Sequence, residues 1–87
     1  MRVTYVIKDK LTGYYKIGRT SNLKKRFSTL STSNLNLEIS YVFPEDIEKM
    51  LHINFKKSNI AKEWYCLSYS EVQQLEELKE EYFKQQL

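Results

Sequence analysis

The chain has 87 residues, of which 41% are hydrophobic, and it carries a formal net charge of +3. This length predicts one domain with a modest core, and seven Tyr, four Phe and one Trp suffice to build that core. The single cysteine, Cys66, excludes an internal disulfide and a cysteine-cluster zinc site, and we expect it to be a small buried residue.

The charge is distributed unevenly along the chain. Residues 1–67 hold twelve Lys and Arg against six Asp and Glu, whereas residues 68–87 hold two against five. The basic excess favours a polyanionic partner for the first part, with ordinary surface lysines as the alternative. Because charges interrupt every apolar run and the N-terminus lacks a signal-peptide stretch, we expect a soluble intracellular protein without membrane contact.

The first 18 residues predict a β-hairpin. Residues 2–8 alternate and are rich in β-formers, residues 9–13 carry turn-forming Asp and Gly, and residues 14–18 form a second strand. With a four-residue loop, Tyr5 lies opposite Lys16 in the neighbouring strand. Opposed residues share a face of the sheet, so these two side chains are expected to lie together.

A helix is predicted next, with Thr20 or Ser21 as its N-cap. Its apolar stripe at helical spacing consists of Leu23, Phe27 and Leu30. Residues 31–34 end this helix, and the alternation over residues 35–43 predicts a third strand with one apolar face.

A second helix is predicted to begin at Pro44, because proline is well suited to the first helical turn. Its buried stripe is predicted to be Ile47, Met50, Leu51 and Phe55. A short apolar segment over residues 63–67 follows. The last helix shows a capping-box pattern from Ser70 to Gln73 and is predicted to bury Val72, Leu75, Leu78 and Tyr82.

Together these elements predict a single α+β domain over residues 1–87. Its core would occupy residues 1–67, and residues 68–87 would form a C-terminal helix. The expected architecture is a small three-stranded antiparallel sheet flanked by helices, in the order ββαβαα.

Two basic side chains in the first third of the chain suit phosphate chemistry. Arg26 can bind a phosphate through two parallel hydrogen bonds. Alternatively, it belongs with Lys24 and Lys25 to a solvated basic face of the helix. Lys16 stands in a strand between apolar neighbours. It is either a solvated residue on an open face or a functional amine on a covered one, and the sequence does not decide between them.

Two acidic side chains could act with them. Glu48 and His52 are four residues apart and share a helix face. Glu48 is either a Mg²⁺ ligand or a surface glutamate paired with His52, and His52 by itself is more often structural than catalytic. Glu63 is a second acidic contact or a hydrogen-bonded residue at a strand end.

In these residues the chain resembles the GIY-YIG nuclease superfamily, in particular its compact phage, viral and bacterial subgroup with a Tyr-Lys-Ile-Gly second half-motif. The likeness spans nearly the whole chain. Tyr5-Val6-Ile7 stands at the first half-motif, and Tyr15-Lys16-Ile17-Gly18 matches the second. Arg26 lies eight residues past Gly18, where the family has its helix arginine.

The second half of the chain continues the resemblance. Glu48, followed by Leu51-His52 and Phe55, stands where the family has its metal-binding glutamate, and Glu63-Trp64-Tyr65 is similar to a Glu-Trp-aromatic box of the subgroup. There are two departures from the family pattern. The first half-motif lacks its glycine, and Lys16 stands where many members have tyrosine.

The resemblance implies a metal-dependent DNA endonuclease. In it Tyr5, helped by Lys16, would activate the attacking water, Arg26 would hold the scissile phosphate, and Glu48 would bind Mg²⁺ or Mn²⁺. The implied supporting residues are His52, Glu63, Tyr15 and Gly18. The residues expected to contact the DNA backbone are Arg19, Lys24 and Lys25.

The same resemblance implies cytoplasmic action in a bacterial or phage-infected host, as a homodimer or with a separate specificity partner. Two other functions stay open at this point. One is a nucleic-acid-binding module with the same fold but no cleavage. The other is a protein-interaction domain that uses the acidic helix face from Glu71 to Glu81.

Overall fold

Helices cover both faces of one antiparallel five-stranded sheet in the computed structural model, which describes residues 1–85. The strands are β1 (Val3–Asp9), β2 (Tyr15–Thr20), β3 (Leu37–Phe43), β4 (Asn59–Ala61) and β5 (Trp64–Tyr65). The helices are α1 (Leu23–Ser33), α2 (Glu48–Asn54) and α3 (Tyr69–Gln85), with a 3₁₀ turn at Lys56–Ser58. None of the helices within this described range is long and apolar enough to cross a membrane.

The α+β class and the antiparallel sheet are confirmed, but the prediction of three strands is wrong. The sheet order is β3-β1-β2-β5-β4, and the element order is ββαβαββα. The three predicted strands form one side of the sheet, and a small hairpin of β4 and β5 extends it beyond β2. Strands of three and two residues are too short to show an alternating pattern. The predicted C-terminal segment also includes residues 86 and 87, which lie outside the described range.

The β1–β2 register differs from the prediction by two residues. Tyr5 pairs with Gly18, and Lys16 pairs with Ile7. The connecting loop is longer than predicted, and the side chain of Asp9, the last residue of β1, accepts a hydrogen bond from the Leu11 amide in this loop at 2.9 Å. A shift of two residues keeps every side chain on its face, so the prediction that Tyr5 and Lys16 share a face holds.

Strand β3 contains a bulge that redirects its side chains. Its pairing with β1 passes from Ile39 to Tyr41, which leaves Ser40 as an extra residue. Leu37 therefore packs on one face of the sheet, while Tyr41 and Phe43 pack on the other. The single apolar face predicted for this strand is wrong, and Leu35, which was included in it, is 89% exposed.

Each face of the sheet has its own apolar cluster. On one face, Tyr5 and Ile7 pack against the predicted stripe of α1, which confirms that stripe. On the opposite face, Val6 and Ile17 contact residues of α2 and α3. The predicted α3 stripe lies in this second cluster, with Leu75 fully buried and Val72, Leu78 and Tyr82 packed around it.

Helix α2 begins at Glu48, four residues later than predicted from Pro44. Residues 44–47 form an irregular connection that Thr4 anchors from the sheet. The buried Thr4 hydroxyl donates to the Glu45 carbonyl at 2.7 Å and accepts from the Ile47 amide at 2.8 Å. Leu51 and Phe55, four residues apart on one helix face, are buried, whereas Met50 is 43% exposed, which contradicts its predicted burial.

The caps of the other helices also differ from the predictions. Asn22, not Thr20 or Ser21, caps α1, since its side chain accepts from the Lys25 amide at 3.1 Å. At the start of α3, Ser68 Oγ accepts from the Glu71 amide at 3.2 Å, and the Glu71 carboxylate accepts from the Ser68 amide at 2.9 Å. This capping box lies two residues before the predicted one.

Cys66 is exposed, so its predicted burial is wrong. It lies between β5 and α3, where its backbone amide donates to the Ser58 carbonyl at 2.8 Å. The backbone of this segment is therefore tied to the fold, while the thiol does not contribute to the apolar core.

Replacing Ser68 by alanine removes the N-cap of α3 and should lower the free energy of unfolding by about 1 kcal/mol. Gln73→Ala is the matched control, because Gln73 belonged to the box predicted from sequence but is exposed on the helix. Urea denaturation of both variants measures the difference. Equal effects of the two substitutions would contradict the observed cap.

The Glu71 carboxylate should make the stability of the protein depend on pH. Its burial acts to raise its pKa, but hydrogen bonds from Ser58 and Ser68 outweigh burial and lower it. A lowered folded-state pKa gives stability that is present above the ordinary carboxyl pKa of about 4.3 and is lost as the pH falls through the lowered value. Glu71→Gln should therefore be less stable than the parent at pH 7, and urea titrations should show this difference vanishing in acid. A constant difference would contradict the assignment.

Candidate active site

The site is organised around the backbone of Ile17 in β2. Its amide donates to the Glu63 carbonyl at 3.0 Å, and its own carbonyl lies 3.0 Å from His52 Nε2. The β2–β5 ladder pairs only Tyr15 and Lys16 with residues of β5. The histidine of α2 therefore occupies the position that the next residue of a partner strand would take. This contact joins α2 to the sheet edge, by which is meant the part of β2 beyond the last residue that β5 pairs.

Because a carbonyl oxygen only accepts hydrogen bonds, His52 Nε2 must carry the proton. In this tautomer the lone pair is on Nδ1. The ring also packs at a tilt against Tyr65, with centroids 5.5 Å apart. His52 is thus held in one tautomer and one ring orientation. Metal-binding histidines are usually fixed in the same way, by a hydrogen bond from the other ring nitrogen.

Tyr5 and Arg26 reach the same edge from the face that α1 covers. The Tyr5 ring is fully buried, and Arg26 Nε donates to its hydroxyl oxygen at 3.4 Å. Gly18 makes room for the phenol, since a Cβ built there would collide with the Tyr5 hydroxyl. The exposed guanidinium keeps its remaining N–H groups for another acceptor.

Lys16 lies on the covered face, which decides between the two interpretations of this residue. Its side chain is 13% exposed, and Nζ forms an ion pair with Glu63 Oε1 at 3.0 Å. The same ammonium lies 5.7 Å from the centroid of the Trp64 ring. The lysine therefore belongs to the cluster of site residues and is not a solvated strand residue.

Glu63 is placed by the tight turn between β4 and β5. The Asn59 side-chain amide donates to the carbonyls of Lys62 and Trp64, at 2.8 and 3.1 Å. Lys62 adopts φ of 51°, in the left-handed region that lysine rarely enters. The turn thus holds the carboxylate of Glu63 at the sheet edge, despite a conformational cost.

Three potential metal ligands converge at this edge. Glu48, His52 and Glu63 each offer a ligand atom, and these atoms all lie within 4.8 Å of one another. Two carboxylates and one imidazole form a donor set that suits Mg²⁺ or Mn²⁺, the carboxylates being the preferred ligands of the former. All three residues are partly buried. Glu63 belongs to both this set and the ion pair with Lys16, so it links the carboxylates to the amine.

The electrostatics agree with this proximity. The hydrogen bond to Tyr5 raises the pKa of Arg26, and the Glu63 carboxylate adds to that effect. Burial raises the pKa of Tyr65, with further contributions from Glu63 and Glu48. Arg26 is consequently a permanent cation beside an acidic cluster, and Tyr65 is a neutral phenol there.

Arg19, which is expected to contact the DNA backbone, is paired with acidic side chains. Its guanidinium pairs with Asp46 Oδ2 at 3.0 Å and lies 3.9 Å from Glu48 Oε1. It therefore borders the acidic cluster and balances part of its charge. The sequence analysis missed Asp46 as a neighbour of the site, because the pairing joins the end of β2 to the connection before α2 and no local pattern reports it.

The remaining predicted residues lie around this cluster. Lys24 and Lys25 are exposed on α1, and Lys25 and Arg26 line a shallow hollow of about 170 Å³ at the start of that helix. Tyr15 is buried in the apolar cluster on the α2–α3 side. The structure thus brings together Tyr5, Lys16, Arg26, Glu48, His52 and Glu63, with Gly18 beneath the phenol.

Comparison with known proteins adds one match. The sequence profile described as the T5orf172 domain matches residues 2–83. This is a family of nuclease-like, DNA-binding domains. No curated protein and no solved structure matches the chain.

Gly18→Ala should displace the Tyr5 phenol and lower the free energy of unfolding by about 1–3 kcal/mol, the usual cost of overpacking. Adding Tyr5→Leu removes the hydroxyl and the ring carbons that meet the new methyl group. The double variant should therefore lose less stability than the sum of the two single variants. Denaturant titration of the four proteins of this cycle measures the coupling, and strict additivity would contradict the contact.

Proposed function

This chain belongs to the T5orf172 domain family, and we propose that it is a metal-dependent endonuclease of the GIY-YIG type that hydrolyses phosphodiester bonds in DNA. One observation carries the proposal. The ligand atoms of Glu48, His52 and Glu63 converge within 4.8 Å, beside a phenol that a guanidinium contacts. Such an arrangement would serve as a metal site with a phosphate-binding group beside it.

The metal would be held by the two carboxylates, with His52 Nδ1 as a third ligand or as the acceptor of a hydrogen bond from a metal-bound water. Mg²⁺ typically takes one or two protein carboxylates and keeps several waters, which fits Glu48 and Glu63. Mn²⁺ accepts the imidazole more readily. When bound, the ion would stabilise negative charge on the leaving 3′ oxygen.

Arg26 would bind the scissile phosphate. Its Nε is directed at Tyr5, which leaves the terminal N–H groups for two non-bridging phosphate oxygens. Its cationic charge would stabilise the extra negative charge of the transition state. Lys25, beside it on α1, would add an electrostatic contact to the neighbouring phosphate.

Tyr5 and Lys16 would act on the attacking water. The Tyr5 hydroxyl oxygen is in contact with the Arg26 guanidinium, which would hold the phenol in position to orient the attacking water. Lys16 is paired with Glu63, and this pair would loosen when Glu63 turns to a metal. The released amine would then assist in positioning the water.

A DNA-binding module without cleavage is the second candidate. The Lys16–Glu63 ion pair at 3.0 Å favours it, because a carboxylate that stays neutralised by lysine is a weaker metal ligand. In this case the basic groups of α1 would bind the phosphate backbone and the carboxylates would serve only the fold. The effect of Glu48 on cleavage separates the two candidates.

Glu48→Gln should reduce nicking of supercoiled plasmid in Mg²⁺ to the level seen with EDTA, because the amide keeps the shape of the carboxylate but loses its charge. Gel assays with a metal titration measure this. Glu38→Gln is the matched control, since Glu38 is exposed on β3, and it should nick like the parent. Nicking that survives Glu48→Gln would remove the metal assignment, and no nicking by the parent protein would favour the binding module.

Arg26→Ala should lower the cleavage rate on the order of 10²–10³-fold, the loss typical for one transition-state hydrogen-bond donor. Lys24→Ala, on the same helix and also exposed, should leave the rate at saturating DNA nearly unchanged and only reduce the salt dependence of binding. Single-turnover cleavage with excess protein measures both rates. Similar losses in the two variants would reduce Arg26 to a general cationic contact.

A further inference from the structure

We propose that an apolar hollow beside the active site receives one nucleobase of the nucleotide next to the scissile phosphate. This inference rests on the proposed function and deepens it. The hollow has a volume of about 290 Å³. It lies between the β1–β2 loop and the β4–β5 hairpin, and it is lined by Asp9, Thr12, Tyr14, Ile60, Ala61 and Trp64.

The walls of the hollow include aromatic side chains of the kind on which a base stacks. Tyr14 is 39% exposed and Ile60 is 47% exposed, and Trp64 is partly buried between the hollow and the site. Aromatic faces bind nucleobases of any sequence, because every base has a π-face. The volume is near the lower limit of small-molecule pockets, about 300 Å³, so the hollow suits a single flat group.

The rim of the hollow favours a base over a phosphate. The Asp9 carboxylate accepts hydrogen bonds from the Leu11 amide at 2.9 Å and from Asn34 Nδ2 at 3.1 Å, which hold it as an anion. A second anion would be repelled there, whereas a neutral base would not. The cationic side chains of the site do not line the hollow: Lys16 lies against the Trp64 ring, and Arg26 contacts Tyr5.

Trp64 connects the hollow to the site. It pairs with Lys16 across β2 and β5, and the lysine ammonium lies 5.7 Å from the centroid of its ring. A phosphate held at Arg26, near the Lys16–Glu63 pair, would therefore place a base attached one nucleotide away close to the indole. An unpaired or extruded base fits this arrangement, because a base stacked inside a duplex does not offer its faces.

The test uses the fluorescence of Trp64, which is the only tryptophan of the chain. The parent protein is titrated in EDTA, which prevents cleavage, with a single-stranded oligonucleotide of twelve thymidines. A second titration uses the same backbone with abasic sites throughout. We expect the first oligonucleotide to quench the indole and the abasic one to bind about 5- to 150-fold more weakly with little quenching.

Two variants assign the effect to the hollow. Tyr14→Ser should weaken binding of the thymidine oligonucleotide at least about 5-fold and should not change binding of the abasic one. Phe83→Ser is the control, because it removes another exposed aromatic ring, on α3, far along the chain from the hollow. Circular dichroism checks that both variants are folded.

Three results would overturn the base pocket: no quenching by the thymidine oligonucleotide, equal quenching by the abasic one, or a response only to an uncharged apolar peptide such as N-acetyl-leucine amide. The last result would assign the hollow to a protein ligand. Plasmid nicking keeps this inference separate from the proposed function. Quenching without nicking would refute the endonuclease but support the pocket. Nicking without quenching would support the endonuclease but refute the pocket.

Discussion

The contact between His52 and the Ile17 carbonyl holds the site together. The β5 strand pairs with β2 over only two residues, so the sheet would otherwise expose an unpaired carbonyl beside a buried apolar cluster. The imidazole satisfies that carbonyl and ties α2 to the strand that carries Lys16 and Gly18. Thr4 anchors the connection that precedes the N-terminus of α2. Glu48, at the first position of α2, is thereby fixed at the sheet edge.

A sheet edge is the one place where side chains from both faces can meet. Tyr5, Lys16 and Arg26 belong to the face covered by α1, whereas Glu48 and His52 come from the helix on the other face. The β4–β5 turn inserts Glu63 between them. The edge holds this polar cluster without interrupting either apolar core. The strain at Lys62 is the local cost of that arrangement.

Much of the fold could be predicted from sequence, because β1, β2, α1 and α3 carry clear periodicities of two or 3.6 residues. The bulge at Ser40 could not, since alternation alone does not show where a strand changes the face it buries. The late start of α2 depends on Thr4, some forty residues earlier, and the β4–β5 hairpin is too short for any pattern. For the site, motif spacing identified the residues that converge. The Lys16–Glu63 and Arg19–Asp46 pairs are tertiary contacts that local patterns do not report.

Anomalous diffraction from a crystal soaked in Mn²⁺ tests the central claim, the convergence of these side chains around one ion. The account predicts a single strong peak within bonding distance of Glu48 and Glu63 carboxylate oxygens, with His52 Nδ1 directed toward it and its Nε2 still on the Ile17 carbonyl. It also predicts that Lys16 separates from Glu63. A peak elsewhere, or Glu48 turned away from the other two residues, would contradict it.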